Sequence, residues 1–330
     1  MEKQTKLFTA AALILIVLGV ASTTFMGEET SETEVVASFY PFYDITQQIA
    51  GDSIDVEPLV PPGTEPHSFE LSPSDRIQVE EAEVFVATGV SFEQWEEEVI
   101  ETTDVTVVDS SEGIELLEAE HEHSHDHGHE DHHDESNDGH GHEDEDDHHD
   151  HHYGDYDTHY WVSPLNAIEI AENIRDSLVE EFPEEREVIE SNTEDFIEDM
   201  EELDSDFSSG LDGCEKDTIV TAHAAFAYLG EEYGFSQVPI HGISALSEPT
   251  PGQIEEIIDT TREEELDYIF YEELVDPRVA ENIAEEAGVE TLVLNPVAGS
   301  VNGLEGYVPI MEQNLENLEI ALGCQNDESS

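Results

Sequence analysis

The sequence predicts an α/β protein of two lobes, each with a mainly parallel sheet flanked by helices, and one long helix joining them. Three observations carry that expectation. Short β-branched runs alternate with segments of helical spacing in two separate series. An amphipathic helical pattern with no strand in it lies between the series. The chain has 330 residues, a length that ordinarily divides into about two domains.

The first series reads as strands at 35–39, 56–60, 84–87 and 105–108, with helical spacing at 44–50 and 75–82 between them. That βαβα alternation implies parallel pairing. From Pro164 the positions Ile168, Ala171, Ile174 and Leu178 make one amphipathic helix, stopped near Phe182 by Pro183, which is suited to the first turn of the next helix. That helix carries Val188, Asn192, Phe196, Met200, Leu203 and Phe207, an apolar stripe of about 24 residues or roughly 36 Å. A rigid strut of this kind permits only a limited hinge. A second series follows, with strands at 218–221, 237–240, 268–270 and 291–294 and helices at 251–261 and 277–287. The expected division is 35–183 for the first lobe, 184–209 for the linking helix and 210–326 for the second lobe.

Residues 1–27 read as an export leader: Lys3 and Lys6 precede an uncharged apolar stretch at 7–26 that is long enough to span a bilayer. It shows neither a clear small-x-small cleavage site nor a lipobox cysteine. A cleaved signal and a retained anchor both fit, and either places the remainder outside the cytoplasm, at the outer face of the cell membrane. Residues 28–34 form an acidic tether. In such a compartment the two cysteines, Cys214 and Cys324, pair as a structural disulfide, worth up to roughly 4 kcal/mol in the chain-entropy account.

Acidic residues number 84 against 8 Lys and Arg, a formal net charge of −76. Nucleic acid is excluded as a partner. Self-repulsion on this scale opposes a compact state in dilute buffer, whereas at molar salt the screening length falls to roughly 3 Å. The composition is that of a protein adapted to very high salt.

Of 17 histidines, 13 lie within 118–157, an acidic, nearly apolar-free stretch expected to be a disordered insertion in the first lobe. His121, His123, His125, His127, His129, His132, His133, His148, His149, His151 and His152 there alternate with carboxylates, a pattern that offers many weak, interchangeable sites for divalent transition metals. Four histidines remain: His67, His159, His223 and His241. His67 follows a strand in a proline-rich loop, His159 precedes a helix, and His223 follows the apolar strand at 218–221. Ligands of open parallel sheets bind beyond the carboxyl ends of strands, so these three are candidates for one cleft. His241 reads as structural, as do Trp95 and Trp161 as packing groups.

Five motifs in order carry a resemblance: Pro-Gly-x-x-Pro-His67, Asp157-Thr-His159-Tyr-Trp-x-Ser-Pro164, Thr221-Ala-His223, Ser247-Glu-Pro-Thr-Pro-Gly252 and Phe270-Tyr-Glu272. Together they resemble the zinc- and manganese-binding solute-binding proteins of ABC importers, over nearly the whole chain after residue 33. The resemblance implies the metal-type periplasmic-binding-protein fold and a metal held between the lobes by His67, His159 and His223. It also implies delivery to an ABC transporter permease in the membrane, by a protein expected to be a monomer. A His-rich insertion before the second ligand is similar to the zinc-selective branch. Where that family usually has aspartate near its last strand, this chain reads Asn295, which leaves water or Glu272 to complete a tetrahedron. Three imidazoles favour Zn²⁺ over Mn²⁺, which prefers more carboxylate oxygen. Two other functions compete: a secreted zinc hydrolase with Glu272 as base, against which no HExxH-type motif appears, and a surface metal buffer or adhesin acting without a transporter.

Overall fold

The computed structural model of the chain describes residues 33–90, 92, 94–119, 156–242, 249–299 and 306–324. The leader, most of the tether, the histidines of the insertion, and Ser247 and Glu248 of the fourth motif lie outside the described residues. Among the described residues no helix is long and apolar enough to cross a membrane.

The first lobe is built on strands β1 (Val35–Ala37), β2 (Val56–Pro58), β3 (Val84–Ala87) and β4 (Thr106–Asp109), all parallel in the order β2-β1-β3-β4. The central pair, β1 and β3, is buried along its whole length. That is why both read as unbroken apolar runs and not as alternating ones. Pro58 and Asp109 fall on the two outer strands, where a missing donor or a solvated side chain is tolerated. Around the sheet lie α1 (Tyr40–Ala50), α2 (Pro73–Glu81) and α3 (Gln94–Thr102). Helix α2 starts at Ser72, whose hydroxyl accepts from Asp75 N while Ser72 N donates to Asp75 Oδ2 at 2.7 Å, a reciprocal cap. Helix α1 begins four residues earlier than its apolar spacing indicates, because Pro41 presets the first turn.

Helices α4 (Pro164–Glu181) and α5 (Arg186–Gly210) pack along one another and join the lobes. Two details differ from the sequence reading. Pro183 lies in a turn, and α5 begins only at Arg186. The chain needs those residues to reverse direction between two packed helices, and a residue before proline is pushed out of the α region. The buried stripe of α5 is Ile189, Thr193, Phe196, Met200, Leu203 and Phe207, so Val188 is 41% exposed. Asn192 instead donates to the Ile49 carbonyl at the end of α1.

The second lobe contains β5 (Thr218–Thr221), α6 (Ala227–Tyr233), β6 (Ser236–Pro239), α7 (Pro251–Glu263), β7 (Tyr268–Tyr271), α8 (Arg278–Ala287), β8 (Glu290–Val293) and α9 (Tyr307–Leu322). Strands β5 and β6 pair in parallel, as do β7 and β8, and β5 lies beside β7. Val220, Ile240, Ile257, Ile269 and Ile283 form a small core under α7 and α8. The larger core runs continuously from the first sheet through α4 and α5 to Tyr307, Ile310 and Leu318 of α9. Cys214 and Cys324 are disulfide-bonded, fastening the end of α9 to the chain just after α5. The ends of the acidic insertion are tied together: Glu118 and Tyr156 form an antiparallel bridge, and Asp157 N donates to the Leu117 carbonyl at 2.9 Å. Residues 118–119 and 156–157 therefore belong to the backbone pairing of the lobe.

Candidate metal centre

The carboxyl ends of the parallel strands deliver the polar groups of the cleft. His67 stands on a single 3-10 turn, Pro66–Ser68, reached after β2. His223 comes two residues after β5, Glu272 one residue after β7, and Asn295 two residues after β8. His159 caps the short 3-10 turn Tyr160–Val162 that leads into α4. All five line one cleft, with Glu65, Trp161, Glu273 and Ala298. His241 is not among the lining residues.

Three imidazoles converge there. His159 Nε2 is 3.3 Å from His67 Nε2 and 3.2 Å from His223 Nε2. Among the described residues, these three form the cluster whose ligand atoms lie within 4.8 Å of one another. The edge of a tetrahedron with metal–nitrogen bonds of about 2.0–2.1 Å is about 3.3–3.4 Å. Two of the three nitrogen–nitrogen edges therefore already match a single four-coordinate ion.

The opposite ring nitrogens fix this orientation. His159 Nδ1 pairs with Asp157 Oδ1 at 2.8 Å, and the same oxygen accepts the His159 backbone N–H at 2.9 Å. Asp157 is set in place by its backbone, since Tyr228 Oη donates to its carbonyl at 2.7 Å. His223 Nδ1 pairs with Glu272 Oε1 at 2.5 Å. Each carboxylate fixes a tautomer with the proton on Nδ1 and the lone pair of Nε2 facing the cleft. Burial lowers the His159 pKa to about 4 against the opposing pull of Asp157. Burial is the strongest single influence on His223 and opposes its charge, but Glu272, Glu65 and Asp157 together outweigh it and raise that pKa. Asn295 has a different occupation. Its Oδ1 accepts from Val297 N at 2.8 Å, and its backbone is clasped by Asn314 through two bonds, at 2.9 and 2.7 Å.

An aromatic wall closes the site from behind. Trp161 is 1% exposed, its ring centroid 5.1 Å from His159 and 4.9 Å from Phe39. Its Nε1 donates to the Pro296 carbonyl at 2.8 Å, so it packs and also bridges to the segment after β8. Asp157 belongs to the second sequence motif, in which the histidine alone stands out as a ligand type. The signal that could have assigned Asp157 a role is its spacing of two residues from His159 on a tight turn.

A family model described as zinc-uptake complex component A, periplasmic, matches residues 35–321. The chain belongs to this family. The zinc-binding lipoprotein AdcA of Streptococcus pneumoniae R6 is 34% identical over 292 residues, 86% of this chain and 55% of the relative. The high-affinity zinc uptake system protein ZnuA of Bacillus subtilis 168 is 33% identical over 332 residues, 97% of this chain and 98% of the relative. This chain thus spans about half the length of the AdcA relatives and nearly all of ZnuA. Among solved structures, the Zn(II)-bound ZnuA-like domain of Streptococcus pneumoniae AdcA superposes with a TM-score of 0.70 at 31% identity, covering 88% of this chain and 98% of that one. The laminin-binding protein Lmb of Streptococcus agalactiae gives 0.74 at 29% identity, covering 88% and 99%.

Proposed function

We propose that this chain captures Zn²⁺ outside the cytoplasm and hands it to the membrane permease of an ABC importer. The cargo is held by the Nε2 atoms of His67, His159 and His223. The observation that carries the reading is the pair of nitrogen–nitrogen separations, 3.2 and 3.3 Å, in a buried cleft. Hydrogen-bonded carboxylates behind two of the rings support it, because they raise ligand basicity and remove the cost of orienting the rings. Three neutral imidazoles select zinc over manganese. The near end-to-end likeness to a zinc uptake protein of Bacillus subtilis supports delivery to a permease.

Around this tight site the histidines of the insertion act as a dilute collector, raising the local zinc concentration by many weak contacts. The leader tethers the protein or directs its export, so capture occurs at the outer face of the membrane. The long α4–α5 connection limits lobe movement to a small hinge, enough to present a loaded form. The protein works as a monomer and performs no catalysis.

Competition titration against a chromophoric zinc chelator tests the reading. One tight equivalent is expected, retained when residues 120–155 are deleted and lost in His67→Ala, His159→Ala and His223→Ala. Undiminished stoichiometric binding in all three variants overturns it.

A further inference from the structure

The segment after β5 carries more than His223. Tyr228 lies five residues further on, as the second residue of α6. It is 6% exposed and is not among the residues lining the cleft. Its hydroxyl nonetheless reaches the first lobe at two points, donating to the Asp157 carbonyl at 2.7 Å and accepting from Leu117 N at 3.1 Å. A phenol has one proton to give and lone pairs to receive with, so both contacts hold at once. Burial pushes the Tyr228 pKa up, which keeps that proton in place. Phenylalanine would fill the same space, but only the hydroxyl reaches Asp157.

Asp157 and Leu117 are themselves joined, Asp157 N donating to the Leu117 carbonyl at 2.9 Å. Three bonds therefore fix the Asp157 backbone from two sides. Its side chain in turn sets His159, since Oδ1 pairs with the ring at Nδ1 and also accepts the His159 backbone N–H. A shift of the Asp157 backbone would thus turn the imidazole. The far end of the same turn is gripped in a similar way, with Tyr307 Oη of α9 donating to the Trp161 carbonyl at 2.7 Å. Both phenols come from the second lobe, across 71 and 146 residues of sequence.

We infer that Tyr228 is a positioning residue for zinc binding: from the second lobe it fixes the Asp157 backbone, and through Asp157 it aims His159 Nε2 at the ion. This rests on the zinc reading above and deepens it. One stretch of the second lobe supplies its own ligand, His223, and also aligns a ligand of the first lobe. The two Nε2 atoms 3.2 Å apart are registered against each other by that stretch, so the site is preorganised only while α6 is docked on the His159 turn.

The test measures Zn²⁺ affinity by chelator competition, with one equivalent of metal on the full chain. The variants are Tyr228→Phe, Asp157→Ala, their double variant and Tyr233→Phe. The last removes another phenol bond from the same helix, that of Tyr233 Oη to Asp204 Oδ1 at 3.0 Å, and serves as the control for a merely structural role. Metal-free melting curves establish that each variant is folded; if Asp157→Ala is not, the comparison with Tyr233→Phe decides alone. Tyr228→Phe is expected to weaken binding about 10-fold, with Tyr233→Phe at the wild-type value. The double variant should bind no more weakly than Asp157→Ala, because a residue acting through Asp157 has nothing left to act on. Wild-type affinity in Tyr228→Phe overturns the assignment. So does an equal loss in Tyr233→Phe, or a double variant in which the two losses multiply. His159→Ala, measured alongside, separates the two claims, since intact tight binding there overturns the zinc site itself.

Discussion

His223 Nδ1 and Glu272 Oε1 lie 2.5 Å apart, and this contact turns His223 Nε2 toward His159 Nε2 at 3.2 Å. The acidic partner sits one residue past β7 and the histidine two past β5, strands that run side by side. Removing the carboxylate frees the ring to rotate and lowers its basicity. Glu272→Ala should weaken Zn²⁺ binding about 10- to 100-fold without abolishing it, and Glu272→Gln less. Chelator competition at fixed pH measures both. Complete loss in Glu272→Gln would instead make Glu272 a direct ligand.

Glu96 is a buried carboxyl in the first lobe, 1% exposed, whose Oε1 accepts from Thr88 N at 2.7 Å. Burial raises its pKa from 4.5 to about 7 despite those bonds. The folded value exceeds the unfolded one, so the stability it contributes is full below about pH 4.5 and is lost as pH rises through about 7. The change across that window is on the order of 3 kcal/mol. Urea denaturation of the metal-free protein at pH 5 and pH 8 should show wild type losing more stability than Glu96→Gln. Equal losses in the two proteins would contradict a proton held at Glu96.

Of the 8 basic residues, Lys3 and Lys6 lie in the leader, outside the described residues. Arg76, Arg175, Arg186, Lys216 and Arg278 each pair with a neighbouring carboxylate, and Arg262 donates to the Glu286 carbonyl. These few cations cannot offset 84 acids, and isolated exposed pairs contribute little. Screening must come from the medium. Circular dichroism should show the fold loosening below about 0.5 M salt, where the Debye length exceeds roughly 4 Å. Spectra unchanged after dialysis into dilute buffer would remove the high-salt reading.

Much of this was legible in the chain because burial leaves a simple signature. β3 and β5 coincide with their β-branched runs since central parallel strands must be apolar on both faces. His67 and His223 could be grouped because strand ends converge in such sheets, whereas His159 enters the cleft from the turn before α4. Helices α3, α6 and α9 were not read. Helix α6 spans only Ala227–Tyr233, too short for a periodic signal, while α3 and α9 pack faces whose apolar positions are interrupted by buried Glu96 and Asn314. Glu65 was also invisible, since nothing in a chain of 84 acids marks the one whose oxygen ends up shielded and unpaired.

The phase of α5 gives a direct stability comparison. Phe196 is 2% exposed within the continuous core, and Val188, eight residues earlier, is 41% exposed. Phe196→Ala should cost about 3–5 kcal/mol, whereas Val188→Ala should stay within about 0.5 kcal/mol. Denaturant titration in high salt distinguishes them. Comparable losses would return Val188 to the buried stripe, as its spacing alone suggests.

The turn after β8 combines strain with a polar clasp. Val297 is fully buried with φ of +58, a left-handed conformation that a β-branched residue adopts only under constraint. The constraint is visible: Asn295 Oδ1 accepts from Val297 N, Asn314 holds both Asn295 N and Asn295 O, and Trp161 Nε1 binds the Pro296 carbonyl between them. Asn314→Ala strands two buried backbone groups at once and should cost about 2 kcal/mol or more, while Asn295→Ala strands only Val297 N and should cost about 1 kcal/mol. Because Trp161 packs against His159, Asn314→Ala should also shift Trp emission in the metal-free protein. A denaturation midpoint and emission maximum both unchanged in Asn314→Ala would mean that the turn keeps its shape without the clasp.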